Sequence, residues 1–169
     1  MIWLIVVLVS VYIGIGIYLP STFTMSNSLN MRGNSKDIYQ RIEDFNNWND
    51  WAIWNEDDSM LITISKPSKG IGAKYSWQSK IKEIKDGSIT LTEASEEHFL
   101  TYQVQYSKLK RGKILFNLEE KEKETVVKCS LTINNKRKIF SRYFTLFIRG
   151  SIVRNIYEVL SKIDEGLSN

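Results

Sequence analysis

The chain opens with an unbroken apolar run. Residues 2–19 are interrupted only by Ser10, Gly14 and Gly16, and no charged side chain precedes Arg32. Coiled as a helix at about 1.5 Å per residue, this run would reach about 27 Å, close to the ~30 Å hydrocarbon core of a bilayer. Pro20 then ends it. Trp3, Tyr12 and Tyr18 are residue types that suit a lipid–water interface. A cleaved secretory signal would have a basic leader and a small-residue cleavage site, and neither is present. The pattern therefore predicts a membrane anchor over residues 1–20, with contact to lipid through residues 2–19 and a single-pass location in the cell membrane. Arg32 and Lys36 behind the run favour the cytoplasmic side for the domain formed by residues 21–169.

After the run the pattern alternates. Phe23, Met25, Asn27 and Leu29 share one side of residues 21–31, opposite Thr22, Thr24, Ser26 and Ser28, which reads as a half-buried first strand. Ser35 is placed to cap a short helix carrying Ile38, Ile42 and Phe45 at helical spacing. Three tryptophans follow within seven residues (Trp48, Trp51, Trp54). From Met60 the period becomes two: Met60, Ile62 and Ile64; then Ala73, Tyr75 and Trp77 after a Pro67–Gly70 turn. Ile81 and Ile84 lie in a further segment, and Asp86-Gly87 turns into Ile89 and Leu91. His98, Leu100, Tyr102, Val104 and Tyr106 form the clearest alternation; Arg111-Gly112 reads as a turn into Ile114, Phe116 and Leu118; Val127, Cys129, Leu131 and Ile133 make the last strand. Short strands at about ten-residue intervals imply a twisted antiparallel sheet.

Helical spacing returns at the end of the chain. Ile152, Ile156, Val159, Leu160 and Ile163 form one stripe, with Gly166 suited to a C-terminal cap. Phe140, Phe144, Phe147, Ile148 and Ser151 form a second stripe, rotated from the first by about 120° at 100° per residue. A bend or break at Gly150 would reconcile them.

Composition sets limits on the chemistry. About 150 residues beyond the apolar run can bury a core without disulfide or metal. Cys129 is the only cysteine, so no intramolecular bridge forms, and in its apolar setting it reads as core filler. A single histidine, His98, excludes His-rich zinc sites and leaves one candidate for any His-based triad. The formal charge of +4 gives no argument for nucleic-acid binding, and no cofactor fingerprint is present.

The segments Phe45-Asn46-Asn47-Trp48-Asn49-Asp50-Trp51-Ala52-Ile53-Trp54 and Gly70-Ile71-Gly72-Ala73-Lys74-Tyr75-Ser76-Trp77, in this order of elements, resemble the START-like helix-grip superfamily in its bacterial polyketide cyclase/dehydrase branch. That branch shows a W-x-x-W pattern followed by a G-x-G-x-x-x-x-W strand, and the resemblance covers roughly residues 22–167. It implies an α+β helix-grip fold: a curved antiparallel sheet wrapped around a long C-terminal helix, two short helices after the first strand, and an apolar cavity between helix and sheet. The chain departs from the family at Lys136, Arg137, Lys138, Arg142, Arg149 and Arg154, six bases without an acid where family helices usually carry acids early.

Candidate residues carry two readings each. Trp48 and Trp51 either close one end of the core or form the rim of a cavity. The inward aromatics Tyr75, Trp77, Tyr102, Tyr106 and Phe116, with Trp51, are either core or, in a helix-grip fold, the wall of a ligand pocket. The acid–base candidates are His98, Glu93 and Glu120. His98 follows Glu96-Glu97 at a turn, and Glu93 lies in phase with Ile89 and Leu91. Lys138, Arg142 and Arg149 fall within about 40° on a helical wheel and read as a solvated face or as a contact for anionic headgroups. The expected function is a membrane-anchored, non-catalytic binding domain for a hydrophobic small molecule or lipid, without a cofactor. A polyketide cyclase- or dehydratase-like enzyme is the alternative, and a stress-related scaffold without ligand is the second alternative.

Overall fold

A computed structural model describes residues 2–52, 60–79, 86–106, 110–122, 124–135 and 139–167. The elements run α1 (Ile2–Tyr18), β1 (Thr22–Met31), α2 (Ser35–Glu43), a 3-10 helix (Phe45–Asp50), β2 (Leu61–Ile64), β3 (Lys74–Gln78), β4 (Gly87–Ser95), β5 (Phe99–Tyr106), β6 (Lys110–Glu120), β7 (Thr125–Asn134) and α3 (Ile139–Glu165). The seven strands form one antiparallel sheet in the order β1-β7-β6-β5-β4-β3-β2. Only the β1–β7 pairing is distant in sequence. It is made possible because α2, the 3-10 helix and the five strands between them carry the chain around the sheet. Trp54, Ile81 and Ile84 lie outside the described residues.

Period-two patterning puts one row of side chains from every strand on the inner face. Leu100, Phe116, Cys129 and Asn27 stand side by side across β5, β6, β7 and β1, as do Tyr102, Ile114, Leu131 and Met25 one step along. The C-terminal half of α3 lies on this face. Ile156, Val159, Leu160 and Ile163 are buried, and the Asn27 side chain donates to the Val153 carbonyl across the gap. These are the helix-grip contacts expected from the resemblance.

α2 begins one residue after its cap: the Asn34 side chain, rather than Ser35, accepts from the Asp37 N–H. Ser35 is instead the buried first residue of the helix. Both its hydroxyl and its N–H donate to the Glu120 carboxylate at the end of β6, which places a negative charge at the helix N-terminus.

Further expectations are corrected. First, α1 is not a membrane span, and the single-pass location in the cell membrane falls with it, together with the argument for a cytoplasmic side. Among the described residues no helix is long and apolar enough to cross a membrane. α1 has 17 residues, about 25 Å of helix. Its C-terminal end is docked on α3. Gly16 is buried, and a Cβ there would lie 2.2 Å from Ile139 and 3.0 Å from Tyr143. Tyr12 and Tyr143 stack with centroids 4.5 Å apart, and the Tyr143 hydroxyl donates to the Tyr12 carbonyl. Arg142 Nη1 donates to the carbonyls of Gly16, Ile17 and Leu19. Hydropathy could not separate these docking residues from their apolar neighbours.

Second, α3 is one continuous helix through Gly150. The two apolar stripes are reconciled by exposure rather than by a break: Phe140 and Phe147 are 76% and 88% exposed, while the C-terminal stripe meets the sheet. Third, Arg111 and Gly112 lie inside β6, paired with Gln105 and Val104, and form no turn. Within the basic stretch, Arg142 is turned into α1 and does not belong to a solvated stripe.

Candidate functional site

Between α3 and the sheet lies an apolar cavity of about 200 Å³. Its sheet wall is Ile114 and Phe116 of β6 with Leu131 and Cys129 of β7, which are direct cross-strand partners. Its helix wall is Ile152, Asn155, Ile156 and Val159, spaced at three and four residues so that all fall on one side of α3. Trp48 and Trp51 close one end. Side chains three apart eclipse one another along a 3-10 helix, and the two indoles meet with centroids 4.6 Å apart. Both are essentially fully buried.

The closed end is fixed from behind. Trp48 Nε1 donates to the Ile42 carbonyl at 2.9 Å, and the Tyr102 hydroxyl donates to the same oxygen at 2.7 Å. This carbonyl is one of the last four of α2, which have no partner within the helix. Phe45, Tyr75 and Tyr102 pack around Trp48 with centroid separations of 4.7 to 5.7 Å. Burial holds the Tyr102 phenol well above its usual value.

The structure divides the six sequence-predicted site residues. Trp51 and Phe116 line the cavity. Tyr75 and Tyr102 stand behind its Trp48 wall, and Trp77 and Tyr106 continue the aromatic row, with Trp77 6.5 Å from Tyr75 and 6.4 Å from Tyr106. Trp77 lies over Gly87, its direct partner on β4. Asn155 carries no sequence signal, while Ile152, Ile156 and Val159 read from sequence as one apolar stripe, Ile114 and Leu131 as strand positions and Cys129 as core filler. Their periodicity was legible, but a wall and a packed core carry the same pattern.

The polar content of the cavity is low. Asn155 is exposed and marks the mouth, beside the half-buried Ile152, Ile114 and Leu131. Cys129 is buried, and burial pushes its thiol up to about 12, so it is a protonated SH at neutral pH. The three acid–base candidates lie elsewhere. His98 is exposed at the β4–β5 turn. Glu93 is out of phase with Leu91 because a register shift falls between them, and it meets Lys113 at 3.7 Å on the surface. Glu120 is occupied by Ser35. Two further groups are perturbed, Glu43 upward and Tyr39 up to about 12, each first through burial, and neither lines the cavity. Among the described residues no group of three His, Cys, Asp or Glu side chains could hold a metal ion.

The seven-stranded antiparallel sheet and the long C-terminal helix packed on it define a helix-grip fold, and solved structures match it. The chain is similar to a protein of unknown function, SA2116 from Staphylococcus aureus (TM-score 0.65, 9% identity, 88% of this chain and 97% of that one). It is also similar to the polyketide cyclase-like protein Cgl2372 from Corynebacterium glutamicum (0.60, 16%, 88% and 93%). A third is DynU16 from the dynemicin biosynthetic locus (0.61, 7%, 86% and 47%), so the chain spans about half of that protein. No family model and no curated protein matches the sequence. At these identities the likeness establishes the fold.

Proposed function

We propose that this chain is a binding domain that holds a hydrophobic small molecule between α3 and the sheet without transforming it. The observation that carries this reading is the lining of the 200 Å³ cavity, among the described residues nine apolar or thiol side chains with one amide at the mouth. A site built for binding has apolar walls and few polar groups. General acid–base chemistry needs titratable groups facing the substrate, and among the described residues the only titratable group in this lining is a thiol held protonated by burial. That contrast weighs against the polyketide cyclase- or dehydratase-like alternative. The presence of an open cavity weighs against the scaffold alternative.

Native mass spectrometry of the full chain isolated from its own cells tests the proposal. A one-to-one apolar adduct is expected, and Val159→Trp, which fills the cavity from α3, should remove it. An adduct that survives this substitution in a folded variant, or no adduct with either form, would overturn the reading.

A further inference from the structure

Resting on the binding role proposed above, the geometry points to a ligand class: a small, neutral, mostly apolar molecule of roughly ten non-hydrogen atoms, with one hydroxyl or similar polar group at Asn155. Size is set by the volume. An apolar protein cavity of about 150 Å³ accommodates benzene, and the 200 Å³ here is only moderately larger. It cannot lengthen at the tryptophan end. Trp48 is tied to the Ile42 carbonyl and Trp51 is packed against it, both fully buried. A long acyl chain or a multi-ring polyketide therefore exceeds the space behind the mouth.

Neutrality follows from the walls. Trp51, Phe116, Ile156 and Val159 offer no countercharge, and a charge buried without a partner is strongly disfavoured. The polar end follows from Asn155. Among the described residues it is the one lining side chain with both a strong donor and a strong acceptor, and its position at the mouth leaves the deep part of the ligand against apolar atoms.

Calorimetric titration of the full chain with para-cresol, toluene, dodecanol and palmitate tests this class. Para-cresol should bind one-to-one in the micromolar to sub-millimolar range, with dodecanol and palmitate at least about tenfold weaker. Asn155→Leu, an exposed change that spares the fold, should weaken para-cresol about two- to tenfold, the worth of one neutral hydrogen bond, and leave toluene unchanged. Tighter binding of dodecanol or palmitate than of para-cresol would overturn the size class while leaving the binding role standing. Equal effects of Asn155→Leu on para-cresol and toluene, or none on either, would overturn the polar-end assignment. Failure of all four probes to bind would instead count against the binding role itself.

Discussion

Trp48 and Tyr102 donate to one oxygen, the carbonyl of Ile42, from opposite parts of the chain: the 3-10 helix and β5. The shared acceptor ties the C-terminus of α2 to the sheet and sets the closed end of the cavity. A carbonyl accepts two bonds, so either donor alone still satisfies it. Tyr102→Phe should therefore cost about 0.5–1.5 kcal/mol. Combined with Trp48→Phe, which leaves a buried orphan carbonyl, the loss should exceed the sum of the single losses by about 1 kcal/mol. Urea unfolding of the four proteins of this cycle measures the coupling, and strict additivity would show that the two bonds act independently.

Cys129 makes stability depend on alkaline pH. Its folded value of about 12 lies above its ordinary 9.0 because burial disfavours the thiolate. The unfolded chain releases the proton first, so the thiol's contribution is complete below pH 9 and is lost as pH rises towards about 12. The slope it adds is at most about 1.4 kcal/mol per pH unit. Cys129→Ala should flatten the fall between pH 9 and 12 in chemical denaturation. Tyr39, raised from 10.0 to about 12, leaves a residual slope above pH 10 in both proteins.

Gly87 is required by its neighbour. A Cβ there would lie 2.2 Å from the Trp77 ring, which is nearly buried and has little room to swing. Gly87→Ala should destabilise by about 1–3 kcal/mol, the usual cost of overpacking. A thermal or urea midpoint equal to that of the unsubstituted protein would show that the indole moves freely.

Gly150 behaves in the opposite way. It is exposed within α3, and a Cβ there meets nothing within 4 Å. Gly150→Ala should stabilise the protein by about 0.5–1 kcal/mol by raising helix propensity. The same urea measurement checks it, with a rise in midpoint expected.

Arg142 controls the docking of α1 rather than the core. Through Nη1 it reaches the carbonyls of Gly16 and Ile17 in the last turn of α1 and of Leu19 just beyond it. Such groups at a helix C-terminus otherwise lack partners, and a cation there is favoured. Arg142→Ala should accelerate amide exchange and proteolysis in residues 14–19 while leaving the exchange of β5–β7 unchanged. Equal acceleration in the sheet would make the arginine part of the global fold.

The sequence alone determined the order of strands and helices, because period-two and helical spacings are local properties, and the resemblance added that the sheet grips the last helix. Phe23, Met25, His98–Tyr106 and the Ile152–Ile163 stripe each show their element in a few residues. It also marked Trp48 and Trp51 as neighbours through their spacing. Turn positions within a run of polar residues were less legible, and Arg111-Gly112 entered the strand because pairing with Gln105 and Val104 outweighed glycine's local preference.

Only the tertiary structure decided the rest. Whether an inward aromatic faces a cavity or backs another ring depends on strand neighbours, so Phe116 and Trp51 line the space while Tyr102 holds Ile42 from behind. A register shift, invisible to period counting, sends Glu93 to the surface. Which residues of the apolar helix dock on α3 depends on contacts with Ile139, Arg142 and Tyr143, more than 120 residues away in the chain and beyond the reach of any local pattern.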